Sequence, residues 1–312
     1  MSDLRWLTVP PLRRPFLLMS FEGLFDAGGA ATAALAQIRA RSETTKIAEI
    51  DAEQFFDFTE QRPLVRVDNG VRSIEWPSTT VWACRTDGPR DLVVMSGVEP
   101  HLRWRSFADH IVEVVRRSGA ELSITVGAMV AMVPHSRSFG VTGSAADSDL
   151  AERLGLDRPS YQGPTGVVGV INERLDSFGL SVMSLRVDVP HYVPAAPNPK
   201  AAQALLRRIQ QATGVPTGYE ALDSEANEWV RRVDAAVSSD LESQSYVERL
   251  EKQVDSNPSL LPSGDDLAAE LEAFLRERAD TGAGDDGPVD PEHGPTDDGP
   301  DDGTEDSGPN SA

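Results

Sequence analysis

The distribution of apolar and polar residues divides the chain into an α/β part, a helical part and a polar tail. Short apolar runs, such as residues 16–21 and 122–133, predict buried strands. Apolar positions three or four residues apart predict amphipathic helices, and residues 103–118 are a clear example. The order strand, helix, strand over residues 16–50 predicts a right-handed crossover unit and therefore a parallel sheet.

Turn and capping signals place the ends of several elements. Asn69-Gly70 lies between two apolar runs and predicts a β-hairpin. Asn198 followed by Pro199 predicts a helix with an N-cap and a proline at its first position. Thr165 is predicted to cap another helix, because its hydroxyl can accept a hydrogen bond from a free amide of the first turn.

The pattern also predicts how the chain is organised along its length. Beyond residue 215 it is entirely helical, and Ser263 with Asp266 resembles a capping box. The last 33 residues hold eleven Asp or Glu, no Lys or Arg, and almost no hydrophobic residue, so they cannot bury enough surface to fold. We therefore predict a loosely attached N-terminal arm (1–14), an α/β core domain (15–215), a helical extension (216–279) and a disordered acidic tail (280–312).

Composition and charge limit the possible partners and the compartment. The formal net charge of -21 argues against nucleic acid and anionic membrane surfaces as partners. The apolar run after residue 15 ends by Glu22, which is too short for a signal sequence, and we expect a cytoplasmic protein. The single Cys84 excludes an internal disulfide and a cysteine metal cluster, and a buried reduced thiol is expected.

A glycine-rich turn is the first candidate for a binding site. Tyr161 precedes Gly163 and Gly166, and the helix predicted after Thr165 would present free amides and positive partial charge to an anion. The alternative is a well-capped helix in a packed domain. No lysine follows Gly166, so the turn is not a nucleotide P-loop.

Polar residues that follow predicted strands form the second candidate. Asp26, Glu99, His135 and His191 lie in such loops, and in an open α/β sheet these loops form the ligand crevice. We predict that Glu99, His135, Tyr161 and the 163–166 turn share one cavity. The alternative is that each residue caps a helix or fixes a loop.

The chain shows no pattern that predicts a catalytic residue, a metal site or a cofactor. It contains no Gly-x-Ser-x-Gly elbow and no His-Glu-x-x-His pair, and its five histidines lack metal-ligand spacing.

Five stretches resemble one known family when they are read together. They are FEGLFDAGGAA, SGVEPHLRWRSF, VPHSRSFGVTGSA, YQGPTGVVGV and VPHYVPAAPNPKA. In this order they resemble the actinobacterial branch of the proteasome assembly chaperone family, of the second-chaperone or "PAC-two" type, over roughly residues 13–255. Many relatives carry Trp-Asn where this chain has Leu24-Phe25, and the chain lacks the C-terminal hydrophobic–tyrosine–any-residue ending of some archaeal relatives.

The resemblance implies a fold and two alternative functions. It implies a three-layer α/β/α sandwich related to purine nucleoside phosphorylases, self-association, and, for the eukaryotic and archaeal members, chaperone work on proteasome subunits. We therefore expect a non-enzymatic, homo-oligomeric interaction module, with a trimer favoured, that assists the assembly of proteasomes or of other complexes, with proteasome subunits as candidate partners. The alternative is a small-molecule binder or enzyme for a nucleotide-like ligand, and fold analogy alone does not decide between them.

Overall fold

The computed structural model describes residues 3–256. Its strands are β1 (Leu4–Trp6), β2 (Phe16–Glu22), β3 (Glu43–Ile50), β4 (Leu64–Asp68), β5 (Val71–Glu75), β6 (Thr79–Arg85), β7 (Leu92–Val98), β8 (Leu122–Ala131), β9 (Val141–Ala145) and β10 (Val182–Pro190). Its helices are α1 (Ala30–Ala40), α2 (Trp104–Ser118), α3 (Ser148–Leu154), α4 (Val167–Ser177), α5 (Pro199–Thr213), α6 (Asp223–Ser238) and α7 (Leu241–Asp255).

The main sheet is mixed, not parallel. Its eight strands lie in the order β1-β3-β6-β7-β2-β8-β10-β9. The four strands β7, β2, β8 and β10 are parallel, whereas β1, β3, β6 and β9 join by antiparallel pairing. The predicted crossover of residues 16–50 joins two strands that run in the same direction, although β6 and β7 lie between β3 and β2, and the prediction of a parallel sheet is wrong because β6 pairs antiparallel with both of its neighbours. Strand pairing depends on edges that distant parts of the chain supply, and local alternation does not encode it.

Two apolar layers confirm the predicted α/β/α sandwich. On one face of the sheet, Phe16 and Leu18 of β2 pack with α1 and α5 in a cluster that also takes in residues of α6. On the other face, Leu17 and Met19 pack with α2 and α4. Burial on both faces explains why β2 reads as a continuous apolar run and not as an alternation.

Several local signals are confirmed and one is wrong. Asn198 accepts a hydrogen bond from the amide of Ala201 at the start of α5, with Pro199 in the first turn. The hairpin turn forms at Asn69-Gly70, where both residues have positive φ, as a type I′ turn requires. The prediction for Thr165 is wrong, because the N-cap of α4 is Gly166, one residue later.

The N-terminal segment is attached to the sheet and is not a loose arm. Strand β1 pairs with β3, and Leu4 is buried. Arg13 holds the segment a second time through an ion pair with the buried Asp91. The predicted capping box at Ser263, the end of the helical extension (257–279) and the acidic tail (280–312) lie outside the described residues, and the proposed domain boundaries stay predictions.

Candidate functional site

Four loops meet at one edge of the sheet. Because β7, β2, β8 and β10 run in the same direction, the loops after their carboxyl ends share that edge. These loops carry Glu99, Asp26, His135 and His191, respectively. β7 and β8 are not neighbours, since β2 lies between them. At about 4.8 Å per strand, their ends are about 10 Å apart in the plane of the sheet.

The Asp26 carboxylate accepts hydrogen bonds from the first turn of α1. Its Oδ1 accepts a hydrogen bond from the amide of Ala31 at 2.7 Å, and its Oδ2 accepts one from Thr32 Oγ1 at 2.5 Å. Burial raises the pKa of Asp26, although these hydrogen bonds act in the opposite direction. The carboxylate therefore satisfies amides that a helix N-terminus leaves free, which is a structural role.

Glu99 lies against the start of α4, on the α2 and α4 side of the sheet. A Cβ placed on Gly166, the N-cap of α4, would lie 3.3 Å from Oε1 of Glu99. A Cβ placed on Gly23 would lie only 2.7 Å from its Oε2. Both glycines therefore make room for this carboxylate. An acidic group beside a helix N-terminus is electrostatically favourable, and it stands where the sequence predicted an external anion.

The glycine turn is an exposed surface feature. Tyr161 is 75% exposed, and its hydroxyl donates to the carbonyl oxygen of Pro164 at 3.0 Å. Its ring lies so close to Gly163 that a Cβ there would be 2.6 Å from the hydroxyl oxygen. Tyr161 thus covers its own turn. Thr165 lines a different cavity, of about 660 Å³, together with His101 and Trp104.

His135 is the centre of a buried network on the other side of the sheet. Its ring is 1% exposed, and its two nitrogens lie 2.8 Å from the Tyr192 hydroxyl (Nδ1) and 2.9 Å from Asp234 Oδ1 (Nε2). The Tyr192 oxygen also accepts a hydrogen bond from the amide of His135 at 2.8 Å. The Tyr192 hydroxyl can donate to Nδ1 of the neutral ring, and the tautomer that carries its proton on Nε2 then donates to Asp234. Burial raises the pKa of Tyr192, which argues against a tyrosinate nucleophile.

The rest of the loop after β8 is tied to the helices by charged groups. Lys200 of α5 donates to the carbonyl oxygens of His135 and Arg137 at 2.5 and 2.7 Å, and burial lowers its pKa to about 8. Arg137 forms a bidentate pair with Asp255 of α7, and Ser136 donates to Glu251 of the same helix. These contacts attach α6 and α7 to the edge of the core domain.

His191 is exposed and lies among aromatic rings. Its ring centroid is 5.5 Å from that of Tyr192 and 5.6 Å from that of Tyr246, both in edge-to-face geometry. Beside these rings, the loop of residues 193–197 and the helices α6 and α7 enclose an open groove of about 750 Å³. Its wall is largely apolar, with Trp229, Val233 and Val237 on one side, and Arg232 and Arg249 are among its charged groups.

The predicted residues therefore fall into two groups. Glu99, Tyr161, Gly163, Thr165 and Gly166 lie toward α4, and His135 and His191 lie toward α6 and α7. Within residues 3–256, no hydrogen bond or ion pair joins Glu99 to His135, whose ring contacts Tyr192 and Asp234 instead. The sequence analysis missed Asp234, Lys200 and Tyr246, because nothing in a helical pattern connects them with loop residues 55 to 99 positions earlier.

The described part of the chain contains neither a metal cluster nor a membrane span. Among residues 3–256, no three or more His, Cys, Asp or Glu side chains are grouped to hold a metal ion. In the same part of the chain, no helix has the length and apolar character that crossing a membrane requires.

Comparisons with known proteins agree on one family. A family model described as "PAC2 family" matches residues 20–237. A PAC2 family protein from Streptomyces avermitilis is 39% identical with a TM-score of 0.71, over 75% of this chain and 99% of that one. A proteasome-assembly chaperone homologue from Mycobacterium tuberculosis is 36% identical with a TM-score of 0.69, over 74% of this chain and 99% of that one.

A more distant structure shares the fold. An archaeal proteasome activator from Pyrococcus furiosus is 19% identical with a TM-score of 0.62, over 75% of this chain and 97% of that one. A search among curated protein sequences gives no match.

Proposed function

This chain belongs to the PAC2 family, and from that premise we propose that it is a non-enzymatic protein-interaction module that assists the assembly of proteasomes or of other protein complexes. The observation that carries the proposal is that the buried polar groups at the strand-end edge already have partners within the chain. The buried groups there, Asp26 and His135, are occupied in holding α1 and α6 in place. Beside them lies an open, largely apolar groove of about 750 Å³.

The groove has the properties of a docking surface for a protein segment. Apolar grooves between helices commonly receive an apolar peptide or helix face, and aromatic side chains at the edge provide anchoring contacts. Tyr192 and Tyr246 supply such contacts here, and the groove carries charged groups of both signs, Arg232 and Arg249 with Asp240 and Glu242. The names of the M. tuberculosis and P. furiosus relatives make unassembled proteasome subunits the first partners to test.

We further propose that the protein is a homo-oligomer, with a trimer favoured, and that it acts in the cytoplasm without nucleic acid or membrane partners. The support is the family membership and the net charge of -21, which disfavours polyanionic partners. Light scattering coupled to size exclusion at tens of micromolar protein measures the subunit number. A monomeric mass there would contradict the oligomer.

A pair of neighbouring alanines on α6 allows a matched test of the groove. Ala236 lines the groove, whereas Ala235 is exposed and lies outside the set of residues that line it. Ala236→Arg should place a long charged side chain in the groove, and Ala235→Arg adds the same side chain to another part of the same helix. Arginine is a good helix former, so both variants should fold.

The assay is binding of the full chain to separately purified proteasome α and β subunits of its own organism, followed by native gels and by peptidase activity of assembled particles. We expect wild type and A235R to bind and A236R to bind at least about tenfold more weakly, which corresponds to about 1.4 kcal/mol. Equal binding by A236R, or no binding of wild type to any subunit, would reject the groove as the docking site.

One observation favours the small-molecule alternative. The cavity of about 660 Å³ lies between the first turn of α2 and one side of α4, and its lining includes His101, Arg103 and Arg105 as well as the acidic Glu173. The N-terminus of α2 with these basic side chains suits an anionic ligand. Thermal-shift titration with inorganic phosphate and nucleoside monophosphates tests this, with R105Q as the variant that should lose the shift. No shift with wild type would remove this alternative.

A further inference from the structure

The hairpin formed by β4 and β5 stands apart from the main sheet. It forms its own two-stranded sheet, and every residue of both strands is exposed. Trp76, just after β5, contacts Phe58 with ring centroids 4.8 Å apart. A two-stranded hairpin in water has little stability of its own, so a hairpin that leaves apolar residues uncovered invites a further contact.

The cross-strand register shows that the two faces of the hairpin differ. Val65 stands opposite Ile74, and Val67 opposite Arg72, so these four side chains share one face, and the alternation adds Trp76 at its base. On this face, which we call the apolar hairpin face, Val67 is 69% exposed and Trp76 is 48% exposed. The opposite face carries charged side chains, including the Arg66–Glu75 ion pair.

The apolar hairpin face is complementary to itself. Its centre is aliphatic, a cation (Arg72) lies at its turn end, and an aromatic ring (Trp76) lies at its base. Two such faces packed about a two-fold axis bring the centre of each onto the other and each Arg72 toward the partner's tryptophan ring, a favourable cation–π geometry. A surface that matches its own two-fold copy is what an isologous contact requires.

Charge also favours a second copy of this chain. The hairpin carries two Arg (66 and 72) and two acids (Asp68 and Glu75), so it is neutral in a chain of net charge -21. Two copies repel each other through most of their surface and can approach at a neutral patch. A basic partner would instead be attracted to the acidic surface elsewhere.

We propose that the apolar hairpin face binds the same face of a second copy of this chain in a two-fold contact. This inference rests on the self-association part of the proposed function and adds one two-fold contact to it. The contact gives a dimer by itself and doubles any trimer that forms elsewhere on the molecule. Each strand has only five residues, and a standard interface needs roughly 20–30 residues a side, so the dissociation constant should be on the order of 10 µM.

A pair of adjacent positions on β5 supplies the test. Ile74→Asp places a charge on the apolar hairpin face, and Ser73→Asp places the same charge on the opposite face of the same strand. The measurement is the mass of the full chain between about 1 and 200 µM, a range that brackets the expected constant, by light scattering and by sedimentation. Circular dichroism and thermal melting confirm that both variants are folded.

The expected result is a mass that doubles with concentration for wild type and S73D, and that stays at half that value for I74D. An equimolar mixture of I74D and I74K should recover part of the larger assembly, since opposite charges then meet across the contact. A wild type whose mass does not double, or an I74D variant that assembles like wild type, would overturn the proposal. The groove assay measures subunit binding, whereas this experiment measures mass. A failure of the groove proposal can therefore be told apart from a failure of the hairpin contact. Loss of subunit binding by I74D without a change in mass would assign the face to another protein and would also overturn the proposal.

Discussion

The network around His135 gives the sharpest test of how the helical extension is held. Asp234→Ala removes the acceptor of the Nε2 proton, while the His135 ring is 1% exposed. Leaving a buried donor without a partner costs about 1–3 kcal/mol. The Asp234 side chain is 54% exposed, so water can replace part of the lost hydrogen bond. We expect a loss of about 1–2 kcal/mol in the free energy of unfolding.

Tyr192→Phe should cost more, because one hydroxyl serves both the amide and Nδ1 of His135. Two buried groups then lose their partner, and about 2–4 kcal/mol is expected. The double variant should lose less than the sum, since both substitutions act on the same ring. Glu228→Ala, an exposed acid on the same helix, is the control and should change stability by less than about 0.5 kcal/mol.

Urea unfolding followed by circular dichroism gives these free energies, and each kcal/mol should appear as about 2–4 °C in Tm for a domain of this size. Hydrogen exchange should show that α6 and α7 lose protection before the sheet does. If Asp234→Ala and Glu228→Ala have the same free energy of unfolding, His135 does not hold α6 in the way that the distances indicate.

Three further predictions concern other parts of the chain. Gly23→Ala should lower the free energy of unfolding by at least about 1 kcal/mol, because φ is +154° and Glu99 occupies the space for a Cβ. A second change, Glu99→Ala, should restore part of the lost Tm in thermal melting, and no recovery would refute the steric reason. Removing residues 280–312 should leave Tm unchanged within about 1 °C, because the segment has no hydrophobic stripe to pack; a clear loss of cooperative melting would contradict this. Burial alone would raise the pKa of Asp91, but hydrogen bonds from the Arg13 side chain and two amides lower it. Its stabilising effect is therefore present above about pH 4 and is lost as pH falls through the folded pKa, so Asp91→Asn should flatten the acid limb of the stability curve; an unchanged slope would refute it.

Local signals in the sequence predicted most of the elements because their causes are local. Apolar spacing placed α2, and the Asn198-Pro199 pair placed the start of α5, where the cap forms as expected. Asn69-Gly70 predicted the hairpin, because Asn-Gly readily adopts the two positive φ values of a type I′ turn, and both residues have them here. The same local view placed the cap of α4 one residue early, since Gly166 and not Thr165 precedes its first turn.

The candidate site was predicted less well, because its parts meet only in three dimensions. The sequence indicated that Glu99 and His135 follow strand ends, and both strands do run toward the same edge. It could not show that β2 lies between those strands, nor that one side chain turns toward α4 and the other toward α6. Strand order and side-chain direction therefore decided which residues share a network.

The sequence by itself determined the family, the layered α/β/α class, the helix stripes and the hairpin, since each follows from neighbouring residues or from motifs in a fixed order. Only the tertiary structure decided that the sheet is mixed, that His135 is held by Tyr192 and Asp234, and that the hairpin leaves an apolar face uncovered. The physical reason is that hydrogen bonding and burial between distant segments depend on which strand edges and faces remain free after the chain has folded. A local pattern of apolar residues states that a face must be covered, but it does not state by what.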